Sequence, residues 1–521
     1  MSGYLRRLAT TGAAYTAASI VSKVIAVVLL PLYTRHLSPA DYGAAEVMFA
    51  AVVSASIIVR FGLIEAVLRF YYKDDEQPRE VVASSFAGLF WLSTAAMAIA
   101  LPFAEPISRA LLDVSPAEME RISATQLAQI SIAGLWVLTM SEFLLTMFRL
   151  EERARAFFTT AIVNVLATIA LTVVLVVGLD EGARGLLIGS YAAGAVTVLV
   201  LIALQWRKLS LRFDPALLRR LFRFGLPTMP AEVSLYLLNW VDRIIIVRTL
   251  GLWEAGLYSL AVKFAQAVNV LVRGFQLAWP PLAYSIRDDG EARRAYATVV
   301  TLFVAGCAFV VTGMWLFARW IVRLLAAPEF FDSYEAVGLI SIAVTLYALY
   351  LVLVVILGRT GRTEFNLPAT LAALVVNVVL NLVLVPPLGI VGAGLALVAS
   401  YLVVLALMYV FTQRLFPVAY EWGRLAKIVL ASAALVGIAE LAVPTDGVAG
   451  FFGRAVLLAA YPLALYLGRF FTPGERAWIS RLRHPGAIVA EVRAMRAEPA
   501  AVDGRLPETY EAELRDEDAR L

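Results

Sequence analysis

Long apolar stretches, each about the length of a membrane-crossing helix, recur along almost the whole chain of 521 residues. A helix needs about 20 mostly apolar residues to cross the hydrocarbon core of a bilayer. Fourteen stretches meet this requirement, with predicted limits 9–33, 44–70, 81–104, 122–148, 157–178, 184–206, 225–247, 255–282, 295–321, 335–358, 367–387, 390–412, 425–443 and 450–470. The chain is therefore predicted to be an all-α polytopic membrane protein with about 14 transmembrane helices.

The composition supports this class and excludes several others. Hydrophobic residues make up 61% of the chain and charged residues 16%, against roughly 45–50% and roughly 25% in soluble proteins. One cysteine and two histidines are too few for a disulfide framework, a zinc site or histidine-based catalysis. The net charge of +4 is too small to indicate nucleic-acid binding. We therefore expect no metal, no cofactor and no nucleic-acid partner.

The basic residues between the predicted spans indicate their orientation. Loops on the side of the N-terminus contain 25 Lys and Arg residues, whereas the opposite loops contain 8. Because Lys and Arg are enriched in cytoplasmic loops, both termini are predicted to be cytoplasmic.

An internal repeat becomes visible when the chain is shifted by 213 residues against itself. The shift aligns Arg60 with Arg273 and Gly43 with Gly256, among other matches. Each repeat contains six spans, so the two are parallel and are predicted to form two lobes around a central cavity. The predicted domains are an N-terminal lobe (1–206), a cytoplasmic amphipathic linker (207–224), a C-terminal lobe (225–413), two additional transmembrane helices (414–473) and a partly disordered cytoplasmic tail (474–521).

Charged side chains inside the predicted spans are the candidate binding residues. A charge at bilayer depth costs at least about 2.5–3.5 kcal/mol, so by default it faces a cavity or a partner. The cationic candidates for the cavity wall are Arg60, Arg273, Lys23, Lys263 and Arg243, and the polar candidates are Ser56, Glu232, Tyr236, Asn239 and Gln266. The open alternative is that these charges form internal ion pairs that hold helices together, for instance Asp242 with the neighbours of Arg243, Glu65 with Arg69, or Glu142 with Arg149. Since bases outnumber acids at this depth, a phosphate-bearing anion is the expected ligand.

An enzyme is not expected. The loops between the spans are too short for a folded catalytic domain. The chain also contains no pattern typical of metal ligands, of a nucleophile paired with a base, or of an ATP-binding loop.

The segment from Gly12 to Gly43, GAAYTAASIVSKVIAVVLLPLYTRHLSPADYG, contains the most distinctive motif. Together with Gly62-Leu63 and Arg69-Phe70-Tyr71-Tyr72, it resembles the start of the polysaccharide biosynthesis, or O-antigen (lipid-linked oligosaccharide), flippases. These belong to the multidrug/oligosaccharidyl-lipid/polysaccharide exporter superfamily. The resemblance extends to about residue 413, and fourteen spans also match the lipid II flippase branch.

The resemblance implies translocation of an undecaprenyl-pyrophosphate-linked glycan from the inner to the outer leaflet of the bacterial plasma membrane, for surface polysaccharide or cell-envelope biosynthesis. Cationic cavity residues would meet the pyrophosphate, while the prenyl tail stays in lipid beside a lateral opening. Membrane lipids, a polysaccharide polymerase and glycosyltransferases are the implied partners. Two alternatives remain: a cation-coupled multidrug antiporter, which would be expected to carry net acid in its cavity, and a non-transporting scaffold of a polysaccharide assembly complex.

Overall fold

The computed structural model describes residues 29–72, 77–113, 122–227, 229–473 and 475–476, in which every regular element is a helix. The α-helices are α1 Leu30–His36, α2 Pro39–Arg60, α3 Leu63–Phe70, α4 Pro78–Ala100, α5 Ala104–Leu112, α6 Ala124–Leu150, α7 Ala154–Val173, α8 Gly182–Gln205, α9 Pro215–Gly225, α10 Met229–Leu238, α11 Val241–Leu250, α12 Leu252–Ala265, α13 Val268–Ser285, α14 Asp289–Leu325, α15 Tyr334–Arg359, α16 Asn366–Leu415, α17 Trp422–Ala442 and α18 Gly447–Leu467.

Within the described residues, ten helical segments are long and apolar enough to cross a membrane. Nine of them each match one predicted span, and α16 matches two, which meet at Gly389 with a left-handed φ of 59°. Of the other predicted spans, the first lies mostly outside the described residues. The seventh and eighth are each divided into two shorter helices. The all-helical membrane fold is confirmed, while the count of fourteen stays a prediction.

The second predicted span, 44–70, is also two helices rather than one. Helix α2 is capped by Ser38, whose hydroxyl accepts a hydrogen bond of 3.1 Å from the backbone N–H of Asp41, a common way to satisfy the first turn of a helix. It ends at Phe61 and Gly62, which both have a left-handed φ. A Cβ atom at Gly62 would lie 2.1 Å from the carbonyl oxygen of Gly225. The break therefore brings the end of α2 into backbone contact with the end of α9.

The seventh and eighth predicted spans are each interrupted near their own middle. Helices α10 and α11 are separated by Asn239 and Trp240, and helices α12 and α13 by Gln266 and Ala267. Irregular backbone at membrane depth is tolerated where it lines a cavity or is buried in protein. The hydroxyl of Tyr401 donates a 2.7 Å hydrogen bond to the side-chain oxygen of Asn239, which fixes the first break against α16.

Buried apolar residues form two clusters. One cluster joins α3, α4, α6, α8 and α9, with Leu63, Phe86, Phe143, Val198 and Leu221 among its members. The other joins α1, α5 and the first halves of α2, α6 and α8 to the helices of the C-terminal half. Helix α2 packs against α6 of the first half and against α12 of the second, which places it between the two halves of the fold.

Helix α9 falls inside the predicted linker 207–224 except for its last residue, Gly225. Its leucines Leu217, Leu218 and Leu221 are buried, whereas Arg219 and Arg223 are exposed. The helix is therefore amphipathic, as its sequence predicts. The domain limits and the cytoplasmic location of this segment stay predictions.

The chain divides into two compact units between Tyr461 and Pro462. In the second unit, the guanidinium of Arg476 donates a 3.1 Å hydrogen bond to the carbonyl oxygen of Phe471 and lies 5.5 Å from the ring of Tyr466. The charged tail predicted at 474–521 lies almost wholly outside the described residues.

Candidate functional site

A cavity of 490 Å³ lies between α2 and the helices of the C-terminal half. Its walls come from α2, α10 to α13, α15 and α16. The lining residues are Glu46, Phe49, Ala50, Val53, Tyr236, Asn239, Trp240, Asp242, Arg243, Tyr258, Val262, Lys263, Gln266, Asn269, Arg273, Ile340, Val344, Tyr347, Leu397 and Tyr401. Both helix breaks of the seventh and eighth spans border this cavity.

Among the described residues, five charged side chains line the cavity, and four of them form ion pairs. The Lys263 ammonium lies 3.0 Å from a carboxylate oxygen of Glu46. A guanidinium nitrogen of Arg243 lies 3.6 Å from a carboxylate oxygen of Asp242. Arg273 is the fifth. Three cations therefore face two acids, which leaves one positive charge in excess.

The pair of Arg243 and Asp242 is held within the fold. Asp242 is 1% exposed and accepts hydrogen bonds from the Tyr258 hydroxyl and, at 2.8 Å, from the backbone N–H of Arg243. The guanidinium of Arg243 also donates a 2.8 Å hydrogen bond to the carbonyl oxygen of Asn239. A buried ion pair with this many hydrogen bonds has little charge left for a ligand.

Arg273 has a different environment. Its side chain is exposed, and its guanidinium hydrogen-bonds the side-chain oxygen of Gln276 at 3.4 Å. In the part of the chain that the structure describes, no carboxylate forms an ion pair with it. Arg273 is therefore the lining cation whose charge is available to a ligand.

A second cavity, of 310 Å³, shares Arg273 and Tyr347 with the first. Apolar residues from α13 and α15 dominate its wall, including Phe275, Trp279, Leu351, Val352 and Val355. We call this second cavity the α13–α15 groove. Arg273 thus lies where the cavity that contains the charged side chains meets a groove whose wall is mainly apolar.

The structure separates the predicted site residues into three groups. Six of them line the first cavity: Arg273, Lys263, Arg243, Tyr236, Asn239 and Gln266. Arg60, Ser56 and Glu232 do not line it, and Lys23 lies outside the described residues. Their roles in binding a substrate stay predictions.

Arg60 lies in an ion cluster instead. Its guanidinium contacts Glu142 of α6 and lies 3.8 Å from a carboxylate oxygen of Glu232 of α10. Its Nε donates a 3.1 Å hydrogen bond to the carbonyl oxygen of Ser56. In this conformation Arg60 therefore forms internal ion pairs, which is the alternative that the sequence leaves open.

Sequence reasoning missed several lining residues. Glu46 stands close to the start of the predicted span 44–70, where an acid is typical of a helix end facing water. Asp242 was expected only as an ion-pair partner. Tyr258, Tyr347 and Tyr401 carry no sequence signal that separates them from tyrosines packed in the core.

The family model described as "Polysaccharide biosynthesis protein" matches residues 8–286, more than half of the chain. The chain belongs to this family. The resemblance seen in the sequence is thereby confirmed. A curated relative, the succinoglycan biosynthesis transport protein ExoT of Rhizobium meliloti (strain 1021), is 25% identical over 325 residues. This match covers 61% of the chain and 62% of that relative, which is less than two thirds of the relative's length.

Two solved structures share the fold of this member of the polysaccharide biosynthesis protein family. The lipid II flippase MurJ, in an inward closed conformation, matches with a TM-score of 0.67 and 14% identity, over 89% of this chain and 100% of that one. An inward-facing multidrug resistance MATE family transporter of the MOP superfamily matches with a TM-score of 0.63 and 17% identity, over 74% and 94%. The chain is thus a multi-pass membrane protein with the fold of these transporters.

Proposed function

We propose that this protein is a flippase that moves an undecaprenyl-pyrophosphate-linked glycan from the inner to the outer leaflet of the bacterial plasma membrane. The observation that carries the proposal is the position of Arg273. It is a cation with an available charge at the boundary between the cavity that contains the charged side chains and the apolar α13–α15 groove. Membership of the polysaccharide biosynthesis protein family supports a glycan as cargo.

The chemistry of such a substrate changes sharply at its pyrophosphate, with sugars on one side and a lipid chain on the other. A guanidinium binds phosphate oxygens with two parallel hydrogen bonds, which suits Arg273 to the pyrophosphate. Sugar hydroxyls then face the donors and acceptors of Tyr236, Asn239 and Gln266. The first units of the lipid chain contact the α13–α15 groove, and the rest of the chain stays in the bilayer.

Movement across the membrane follows from the arrangement of the two halves. Parallel repeats that face each other can rock about a central site and expose it to alternate sides. Helix α2 of the first repeat packs against α12 of the second and lines the cavity with it. Rocking of one half against the other therefore changes the cavity wall itself, as alternating access requires.

The charge of the cavity argues against the antiporter alternative. A site for organic cations needs excess negative charge, whereas the described residues that line this cavity include three cations and two acids. The likeness to a multidrug transporter concerns the fold. A scaffold, the other alternative, has no need of a polar cavity with an available cation.

The proposal is tested by native mass spectrometry of the purified full chain with undecaprenyl-pyrophosphate-linked sugars. Arg273→Ala should weaken binding at least about tenfold, since it removes a charge-assisted contact of roughly 1.4 kcal/mol or more. Arg287→Ala is the matched control, because Arg287 is exposed two residues beyond α13 and outside both cavities. The affinity of this control should stay within about twofold of wild type, which corresponds to a change in binding free energy of about 0.4 kcal/mol.

Three outcomes would contradict the proposal. The first is that the wild-type protein does not bind the lipid-linked sugar. An equal loss in both variants would mean that surface charge, not Arg273, attracts the ligand. Binding of an organic cation such as ethidium in place of the lipid-linked sugar would favour the antiporter.

A further inference from the structure

Two glycines that the internal repeat aligns touch each other across the interface between the repeats. Gly43 of α2 and Gly256 of α12 are 213 positions apart, and the two helices pack along each other. A Cβ atom at Gly43 would lie 2.3 Å from the carbonyl oxygen of Leu252, and one at Gly256 would lie 1.9 Å from that of Pro39. The two backbones therefore meet directly at this end of the helices, which is the predicted outer end.

An ion pair crosses the same interface next to this contact. On α2, Glu46 follows Gly43 by three residues, and on α12, Lys263 follows Gly256 by seven residues. Residues at these spacings share one face of a helix, so the glycine contact and the ion pair lie on the same face of each helix. The Lys263 ammonium and a Glu46 carboxylate oxygen are 3.0 Å apart, and both side chains line the cavity. One electrostatic contact thus joins the two repeats at the place where a ligand in the cavity can reach it.

We propose that Glu46 is the resident counter-ion of Lys263, that the pyrophosphate of the substrate displaces it, and that this displacement releases α2 from α12 at their outer end. The inference rests on the proposed function, because it assigns to Lys263 the same anionic ligand. It adds to that function a link between binding of the substrate and opening of the cavity.

The displacement follows from charge and from side-chain mobility. A pyrophosphate carries more negative charge than one carboxylate, and the flexible stem of lysine lets its ammonium follow the stronger anion. Glu46, which is 12% exposed, then faces an anion without its counter-ion. Like charges repel at short distance, so the state in which α2 and α12 separate gains stability when the ligand is bound.

The link can be measured as a distance between the two helices. Cys307 is the sole cysteine of the chain and is buried, so Cys307→Ala provides a background for site-specific spin labels. Labels at His36→Cys and Trp253→Cys occupy exposed positions just before α2 and at the start of α12. Pulsed electron paramagnetic resonance in nanodiscs then reports the separation of the outer ends, with undecaprenyl pyrophosphate as the probe ligand.

Glu46→Gln removes the competing anion and keeps Lys263. It should bind undecaprenyl pyrophosphate about threefold more tightly than wild type, and should lengthen the distance before ligand is added. Lys263→Gln should also lengthen the distance but bind the probe more weakly. The exchange Glu46→Lys with Lys263→Glu should restore the short distance. Asp446→Asn, which breaks a 2.6 Å ion pair with Arg323 away from this interface, is the matched control and should change neither value.

The inference is overturned if Glu46→Gln leaves both the affinity and the distance at their wild-type values, because Glu46 would then only neutralise Lys263 within the fold. It is also overturned if the charge exchange fails to restore the short distance that Glu46→Gln loses. Absence of binding by wild type contradicts the proposed function instead. In that case the distances in the Gln variant and in the charge exchange still decide whether the ion pair holds the helices together.

Discussion

Arg60 and Arg273 occupy matching positions of the two repeats, yet only Arg60 is neutralised by acids. Arg60 contacts Glu142 and lies 3.8 Å from Glu232, whereas the guanidinium of Arg273 hydrogen-bonds only the neutral side chain of Gln276 in the described part of the chain. The repeat therefore supplies two cations at matching positions, and the surrounding helices place acids beside Arg60 but leave Arg273 at the cavity. This asymmetry is the basis of the first prediction.

Arg60→Ala should reduce stability and leave binding in the cavity nearly unchanged. The free energy of unfolding should fall by about 2 kcal/mol, which is less than for a fully buried pair because Glu142 and Glu232 retain 35% and 42% exposure. Thermal unfolding of the purified protein measures the effect. Arg109→Ala, which breaks an exposed pair with Glu105, is the control and should have almost no effect. A loss of ligand binding in Arg60→Ala without a loss of stability would return Arg60 to the binding site.

Gly62→Ala should destabilise the protein more than Gly361→Ala does. The two glycines have nearly the same left-handed backbone, with φ of 69° and 71°, so each alanine costs about 1–2 kcal/mol from conformation alone. At Gly62 the added Cβ would also lie 2.1 Å from the carbonyl oxygen of Gly225, whereas nothing lies within 4 Å at Gly361. The thermostability of both variants, measured by fluorescence-detected size-exclusion chromatography, separates the cost of the backbone conformation from the cost of the close contact. Equal losses would contradict a close contact between α3 and α9.

The sequence predicts where helices cross the membrane but not where they break. Apolar length is required for any span, so most predicted stretches reappear as helices. Whether a span stays one continuous helix depends on contacts with residues far away in the sequence. The Tyr401 hydroxyl, for example, donates a hydrogen bond to Asn239, which lies 162 positions earlier in the chain. Gln266 likewise lies at a break that hydropathy does not mark. Glu232, Tyr236, Asn239 and Arg243 all fall in the predicted span 225–247, which the structure breaks, and only the last three line the cavity.

The cations of the site were predictable because charge in a span is costly, but their partners were not. Glu142 and Glu232 reach Arg60 from two other helices, and Glu46 reaches Lys263 across the interface between the repeats. Each of these pairs joins two different helices, so residue spacing along one helix cannot predict it. The distribution of neutralised and available charge therefore emerges only from the packing of the helices.

Arg454 should be a stabilising residue for the two additional C-terminal helices. It is 2% exposed, lies 2.9 Å from a carboxylate oxygen of Glu440 of α17, and has its guanidinium 5.6 Å from the ring of Trp320 of α14. Arg454→Ala removes all these contacts and should lower the free energy of unfolding by about 2–3 kcal/mol. Arg323→Ala, at a pair whose side chains are 45% and 57% exposed, should cost below about 1 kcal/mol. Chemical unfolding in detergent compares them, and equal values would contradict the prediction.

Leu351→Trp should distinguish the lipid chain of the proposed substrate from its pyrophosphate. Leu351 and Arg273 both line the α13–α15 groove, so a larger ring at Leu351 reduces the space for the chain without removing a charge. Overpacking costs about 1–3 kcal/mol, and binding of undecaprenyl pyrophosphate should weaken about tenfold. Binding of the short-chain citronellyl pyrophosphate should stay within about twofold of wild type. Leu371→Trp, at an exposed position of α16, is the matched control. Equal weakening for both lipids would place the chain outside the groove.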